Sequence, residues 1–335
     1  MNIYKAIVDY LENNRKGVLA TVIRRTGSSP RDVGAKMFVG EDGRTFGTVG
    51  GGRLESDAYA RAVAEMGSTA ATVFSIVMDG KEVTENEMLC GGNVEVLLEP
   101  VKPGHLGVYG KIRDVLKRRG RGAAITKFHP NPFGKSFLDG EMAVTGDPVD
   151  GSIIDWCKGV LAGNKLAVGD GMIADPLQGS VPLYLFGAGH VAQFVALIAG
   201  IADFHVTVID DRAEFANRER FSDAGAILVT AFHDAFSRLP FTGDEYVVIL
   251  TRSHELDAQV LAECMKRPVR YVGMIGSSRK VKIILDHLRS LGFNEGTIRK
   301  IHAPIGIPIG AETPQEIGIA IAAELVAVRS GTVSR

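Results

Sequence analysis

The residues best placed to do chemistry lie in glycine-rich runs. Gly187 and Gly189 belong to GAGHVA, between an apolar stretch at 183–186 and a helical pattern with Val191, Val195, Ile198 and Ile201 on one face. Strand, G-x-G-x-x-A turn and helix form a phosphate cradle: Gly187 permits the tight turn and Gly189 lets backbone approach a pyrophosphate. The helix start at His190 then offers free N–H groups to an anion. Asp210 follows a second β-rich run at 206–209, where such folds hydrogen-bond a ribose hydroxyl. A second glycine run, Gly50, Gly51 and Gly52 ahead of Arg53, stands between a strand and an Ala-rich helix. It is either a tight turn or another anion nest, and Ser28, Ser29, Arg31 and Lys36 add hydroxyls and positive charge nearby in sequence. Cys90 precedes two glycines at a strand entry, where a thiol can be reached closely. A thiolate there acts as nucleophile, soft metal ligand or persulfide carrier; the plain alternative is a small buried hydrophobe.

The elements that must position these groups follow from periodicity and turn chemistry. Residues 3–11 carry Ile3, Ile7, Tyr10 and Leu11 at helical spacing, and strands are expected at 17–23, 35–39, 45–49, 73–78 and 94–99. Further on, 108–116 and 153–161 read as helices, 123–128 as a strand, 129–134 as a loop, and 168–182 as a Gly/Asp/Pro-rich linker. After Asp211 a helix of about ten residues is expected, then strands at 226–229, 246–250 and 271–275. The strand ends at His254 and Ser277, and the loop carrying His302, should gather with Asp210 around one crevice. Thr313, Pro314 and Glu316 read as N-cap, first position and third position of a closing helix. The fold class is therefore α/β. An N-terminal α+β domain is expected over 1–100 and a middle segment with linker over 101–180, then a Rossmann-like doubly wound parallel sheet over 181–335.

Composition narrows the classes. A net charge of −1 over 335 residues argues against a general nucleic-acid binder, which needs a basic face. The longest apolar segments are too short to span a bilayer, and no secretory signal is visible. Three widely separated cysteines make neither a disulfide framework nor a zinc motif, so a cytoplasmic protein without a bound metal of its own is expected.

Taken together, ATVIRRTGSSPRDVGAKM, GTVGGGRLE, LCGG, LFGAGHVAQ, VTVIDDR, YVGMIGSSRK and HAPIGIPIGAETPQEI resemble the XdhC/CoxI family, accessory proteins of xanthine dehydrogenase and related molybdenum hydroxylases. The likeness covers both ends of the chain in order and leaves mainly the middle segment unmatched. It implies a dimeric protein that binds molybdenum cofactor as transient cargo, protects it while a cysteine desulfurase partner supplies its terminal sulfur, and delivers it to the hydroxylase. Carried over, Gly50, Gly51, Gly52 and Cys90 handle the cofactor. Some relatives have a cysteine in the glycine loop where this chain has Arg53, which leaves Cys90 as the sulfur at a motif position and Arg53 free to meet a phosphate. Two alternatives stand beside this reading. One is an NAD(P)-dependent oxidoreductase built on the 187–192 loop, although no dehydrogenase catalytic signature accompanies it. The other is a non-catalytic component that stays with the hydroxylase.

Overall fold

The computed structural model describes residues 3–27, 32–78, 92–130 and 132–332. Cys90, Ser28, Ser29 and Arg31 lie outside the described residues. The chain divides into two compact units, 1–179 and 180–335.

The first unit begins with α1 (Ile3–Glu12), β1 (Gly17–Gly27), β2 (Lys36–Gly40), β3 (Thr45–Gly47), α2 (Gly52–Ala64), β4 (Thr72–Met78) and β5 (Gly92–Val101). It continues with α3 (Leu106–Lys117), β6 (Arg121–Lys127), β7 (Gly134–Asp139), β8 (Val144–Gly146), α4 (Gly151–Gly163), β9 (Ala167–Gly169) and β10 (Met172–Gln178). Two antiparallel five-stranded sheets result, in the orders β3-β2-β1-β5-β4 and β8-β7-β6-β10-β9. The second half repeats the first, element for element.

Side chains repeat with the topology. Tyr4, Ile7 and Leu11 of α1 have their counterparts in Tyr109, Ile112 and Leu116 of α3, and all six enter one core with Phe38 and Phe137, Leu19 and Ala124, Val101 and Leu177. Gly17 and Gly122 stand at the start of the equivalent strands β1 and β6, first and second residue respectively, for the same reason. A Cβ on Gly17 would meet the Phe38 ring at 2.3 Å, and one on Gly122 the Phe137 ring at 2.3 Å. Pro100 and Pro176 both sit in strand where the outer neighbour has ended, so neither removes a ladder hydrogen bond on that side.

Residues 168–182, expected as a linker, instead hold β10, which pairs with both β6 and β9. Residues 1–179 accordingly form one compact unit with no boundary at 100/101. The alternation in this stretch is masked because Asp175 and, on β7, Lys135 point inward as charges whose partners lie far away in sequence.

The second unit runs β11 (Val181–Phe186), α5 (His190–Ile201), β12 (Phe204–Asp210), β13 (Ala226–Val229), α6 (Phe232–Arg238) and β14 (Tyr246–Ile249). Next come α7 (His254–Cys264), β15 (Tyr271–Met274), α8 (Ser278–Ser290), α9 (Glu295–Ile298), β16 (Ile301–His302) and α10 (Pro314–Arg329). All six strands are parallel, in the order β13-β12-β11-β14-β15-β16. This is the doubly wound arrangement that the sequence leads one to expect, with its switch point between β11 and β14. Leu183 and Leu185 face one core with α5 and α10, while Tyr184 and Phe186 face the other with α6, α7 and α8. The closing helix is capped as read: Thr313 accepts from Glu316 N, and the Glu316 carboxylate accepts from Thr313 N.

The helix expected after Asp211 is absent. Turns replace it because the Asn217 amide donates to Ala213 O and Glu214 O, its oxygen accepts from Arg220 N, and Arg218 reaches Ala224 O. Such local bonds compete with a helix ladder. Among the described residues no helix is long and apolar enough to cross a membrane.

Candidate functional site

The turn between β11 and α5 is set by Gly187. Its φ is +106°, and a Cβ there would stand 2.2 Å from Leu250 O at the end of β14. Only glycine closes the switch point so tightly. Gly189, the N-cap of α5, has ordinary extended φ and ψ and open space where a Cβ would go. No side chain caps this helix, and His190 is exposed on its first turn. The first-turn amides are thus offered to an incoming group rather than to a serine or threonine.

Asp210 ends β12 beside this turn, but its carboxylate is engaged within the chain. One oxygen accepts from Ala188 N at 2.9 Å, and Arg212 donates to both oxygens at 2.9 and 3.1 Å. The side chain is 1% exposed. Asp210 therefore braces the glycine turn. Arg220 adds a second brace by donating to Ala188 O at 3.2 Å. Next along the chain, Asp211 pairs with Arg252 through both guanidinium nitrogens, one at 2.8 Å. Because β11 lies between β12 and β14, this pair ties the two flanking strand ends together across the switch point. The Arg252 hydrogen bonds hold the Asp211 carboxyl below its ordinary range.

His254 and Ser277 do come together. They line a pocket of about 530 Å³ with Arg252, Ser253, Arg279 and Lys280, at the starts of α7 and α8. Ser253 caps α7 and Ser277 caps α8. Two helix starts and three cations border it, of which Arg252 is paired with Asp211 and Lys280 with Asp257. Asp257 is buried and holds Thr251 N and Thr251 Oγ1 at the end of β14.

His302 does not join them. It lies on the edge strand β16, 6% exposed, its ring centroid 4.6 Å from that of Tyr271 and its Nδ1 3.0 Å from Glu324 on α10. Glu324 also accepts from Tyr271 OH and Gly306 N. The loop leaving β16 turns back over the sheet, which places the imidazole inside the helix–sheet packing. Sequence spacing alone could not separate those positions, since each of the three reads as a loop residue near a strand end.

In the first unit, Gly50, Gly51 and Gly52 all have positive φ. Gly51 caps α2 at φ 76°, ψ −178°, a region closed to residues with a Cβ. The nest is partly filled by the chain itself: a Glu55 oxygen accepts from Gly51 N at 3.2 Å and from the Thr48 hydroxyl, and Thr48 Oγ1 accepts from Gly50 N. Arg53 is exposed and paired only loosely, with Asp57 at 3.7 Å. Of the cysteines, Cys157 and Cys264 are buried; burial pushes the Cys157 thiol up to about 11 and the Cys264 thiol higher still, so neither is a ready thiolate.

Sequence reasoning missed a buried polar cluster between the two repeats. Glu99 on β5 accepts from Lys135 Nζ at 2.7 Å, from Thr126 Oγ1 at 2.7 Å and from the Tyr109 hydroxyl. Burial disfavours the Glu99 charge, yet Lys135 and these hydrogen bonds hold its carboxyl below the usual range. Its counterpart is the Lys36–Asp175 pair at 2.7 Å, again joining one repeat to the other. The repeated K-x-F of β2 and β7 and the E/D-P of β5 and β10 are the signal that could have revealed both.

A duplicated α+β unit followed by a parallel sheet with a glycine turn at its switch point defines a two-part protein ending in a Rossmann-type domain. Family models agree: that of the XdhC Rossmann domain matches residues 183–325, and that of the XdhC and CoxI family matches 10–76. The chain belongs to the XdhC and CoxI family. It is 28% identical over 98% of its length to the uncharacterised protein YqeB of Escherichia coli, of which it spans only 47%. It is 26% identical to a protein of Bacillus subtilis named as a probable subunit of xanthine dehydrogenase, covering 98% of each chain. The molybdenum cofactor insertion chaperone PaoD of Escherichia coli is 24% identical, over 98% of this chain and 88% of its own. A crystal structure from Bacillus halodurans, described as a xanthine dehydrogenase, has the same fold with a TM-score of 0.84 at 24% identity, over 100% of this chain and 97% of that one.

Proposed function

We propose that this chain is an accessory factor of xanthine dehydrogenase or a related molybdenum hydroxylase, and that it binds molybdenum cofactor and assists its sulfuration and insertion. One observation carries the reading: the family likeness extends over nearly the full length of two relatives, one named as part of a xanthine dehydrogenase and one as a cofactor insertion chaperone. The geometry suits such cargo. Its phosphate can be met by the uncapped start of α5 at Gly189 and His190, or by the pocket of His254, Ser277, Arg252 and Arg279. Gly50, Gly51, Gly52 and Arg53 offer a further turn whose remaining amides lie at a helix start. Cys90 is the cysteine assigned to molybdenum or sulfur contact, since soft thiolate suits such a ligand. A homodimer and a cysteine desulfurase partner belong to the same proposal. The NAD(P) reading is weaker, because the Asp210 carboxylate that would take the ribose already holds Ala188 and Arg212.

The test is anaerobic purification from a molybdate-replete host, with bound pterin assayed as its fluorescent oxidation product beside nicotinamide content. Pterin without nicotinamide is expected; stoichiometric NAD without pterin refutes the proposal. Cys90→Ser is expected to abolish cofactor retention or sulfuration with the fold intact, and unchanged maturation of the hydroxylase would return Cys90 to a packing role.

A further inference from the structure

The two repeats of the first unit carry equivalent ion pairs in unequal surroundings. Around Glu99 and Lys135 everything is closed: Tyr109 and Thr126 complete the hydrogen bonding, and all four side chains are buried. Two residues before Lys135 stands Phe133, whose ring packs edge-on against His105 at 5.4 Å. Two residues before Lys36 stands Gly34, with no side chain, positive φ and, among the described residues, nothing within 4 Å of where a Cβ would be. The carboxylate partner is also shorter, since Asp175 replaces Glu99 at the matching register position opposite Ala124 and Leu19. Tyr4 and Thr21, the counterparts of Tyr109 and Thr126, are buried as well, but this second pair borders a cleft of about 1070 Å³, lined by Lys36 and Asp175. Their side chains are 13% and 7% exposed.

A duplicated fold needs one such pair no less than the other for packing, so the opening is the feature that calls for a reason. Lys36 and Asp175 set an ammonium donor and a carboxylate acceptor side by side. Among the described residues the ammonium gives two of its three hydrogens to Gly34 O and Asp175 Oδ2. Arg24, Arg25 and Lys165 also line the cleft. Arg24 and Arg25 are held by solvent-exposed pairs with Glu95 at 3.4 Å and Asp32 at 2.7 Å, which a ligand anion can replace at little cost.

We propose that this cleft binds a heterocycle whose amide edge places a ring carbonyl on Lys36 and a ring N–H with its neighbouring exocyclic amino group on Asp175, with an attached anionic group held by Arg24, Arg25 and Lys165. The inference rests on the cofactor reading above in taking that heterocycle to be a pterin. A guanine ring has the same edge, and the experiment separates the two.

The test is fluorescence titration of the full chain with 6-carboxypterin, and its displacement by guanosine 5′-monophosphate. Saturable binding is expected. Replacing the floor pair together, Lys36→Met with Asp175→Asn, should weaken it about tenfold or more, as loss of charge-assisted hydrogen bonds does. Lys165→Glu, at an exposed position, should weaken it as well. Thr126→Val, in the closed cluster, should leave affinity unchanged. Absence of saturable binding to the unsubstituted chain, or equal affinity in the folded floor variant, overturns the inference; should that variant fail to fold, equal affinity in Lys165→Glu overturns it. The two proposals fail separately. Tighter binding of the guanine nucleotide, lost in the floor variant, keeps the cleft and counts against the pterin cargo. Pterin co-purifying equally with unsubstituted and floor-variant protein keeps the cargo and refutes the cleft.

Discussion

Lys135→Met tests the buried cluster that joins the repeats. In the native unit Glu99 is 1% exposed, and the Lys135 ammonium beside it is nearly as buried. Removing the ammonium leaves a buried carboxylate with only the Tyr109 and Thr126 hydroxyls, and breaking such a pair costs about 3–5 kcal/mol. For a unit of this size each kcal/mol lowers the midpoint by about 2–4 °C, so the transition should fall by about 6–20 °C. The pH dependence gives a sharper reading. Glu99 in the native unit titrates below its unfolded value, so its contribution is present above about pH 4.3 and is lost as pH falls through the lowered folded value. Without Lys135, burial dominates and the folded carboxyl titrates above the unfolded one. The variant should then gain stability as pH falls from neutrality toward about pH 4.3, where the native unit gains nothing from this group. Calorimetry of the full chain at several pH values checks both statements. A loss below about 1 kcal/mol, the scale of an exposed pair, together with an unaltered pH slope, would refute the assignment.

Other expectations follow from the second unit. Gly187→Ala should destabilise it by about 1–3 kcal/mol, because the new Cβ meets Leu250 O in a left-handed conformation, and chemical denaturation measures this. Gly189→Ala meets open space at ordinary φ, so stability should change little while anion binding at the α5 start weakens; equal loss of stability in both variants would contradict the geometry. Thr313→Ala removes the cap of α10 and should cost about 1 kcal/mol, read as a shift in denaturation midpoint. Asp210→Asn should loosen the glycine turn through Ala188 and Arg212, seen as faster amide exchange at Ala188, rather than alter any nicotinamide affinity.

Much of this protein is written locally. The 3.6-residue spacing of α1, the glycine turn after β11, the capping box at Thr313 and the parallel strands of the second unit could all be read directly, because each depends on neighbours within a few positions. The family could also be read, from motifs in order along the chain. What escaped depends on partners far away. β10 reads as linker and β7 goes unassigned because Asp175 and Lys135 face inward, toward Lys36 and Glu99 in the other repeat. Asp210 looked free to meet a ribose until Arg212 and Ala188 closed on it, and His302 looked like a crevice residue until α10 brought Glu324 against it. Spacing along the chain determines which face of an element a side chain occupies. Only the tertiary structure decides what lies opposite that face, and for a charged group that neighbour separates a buried brace from an open site.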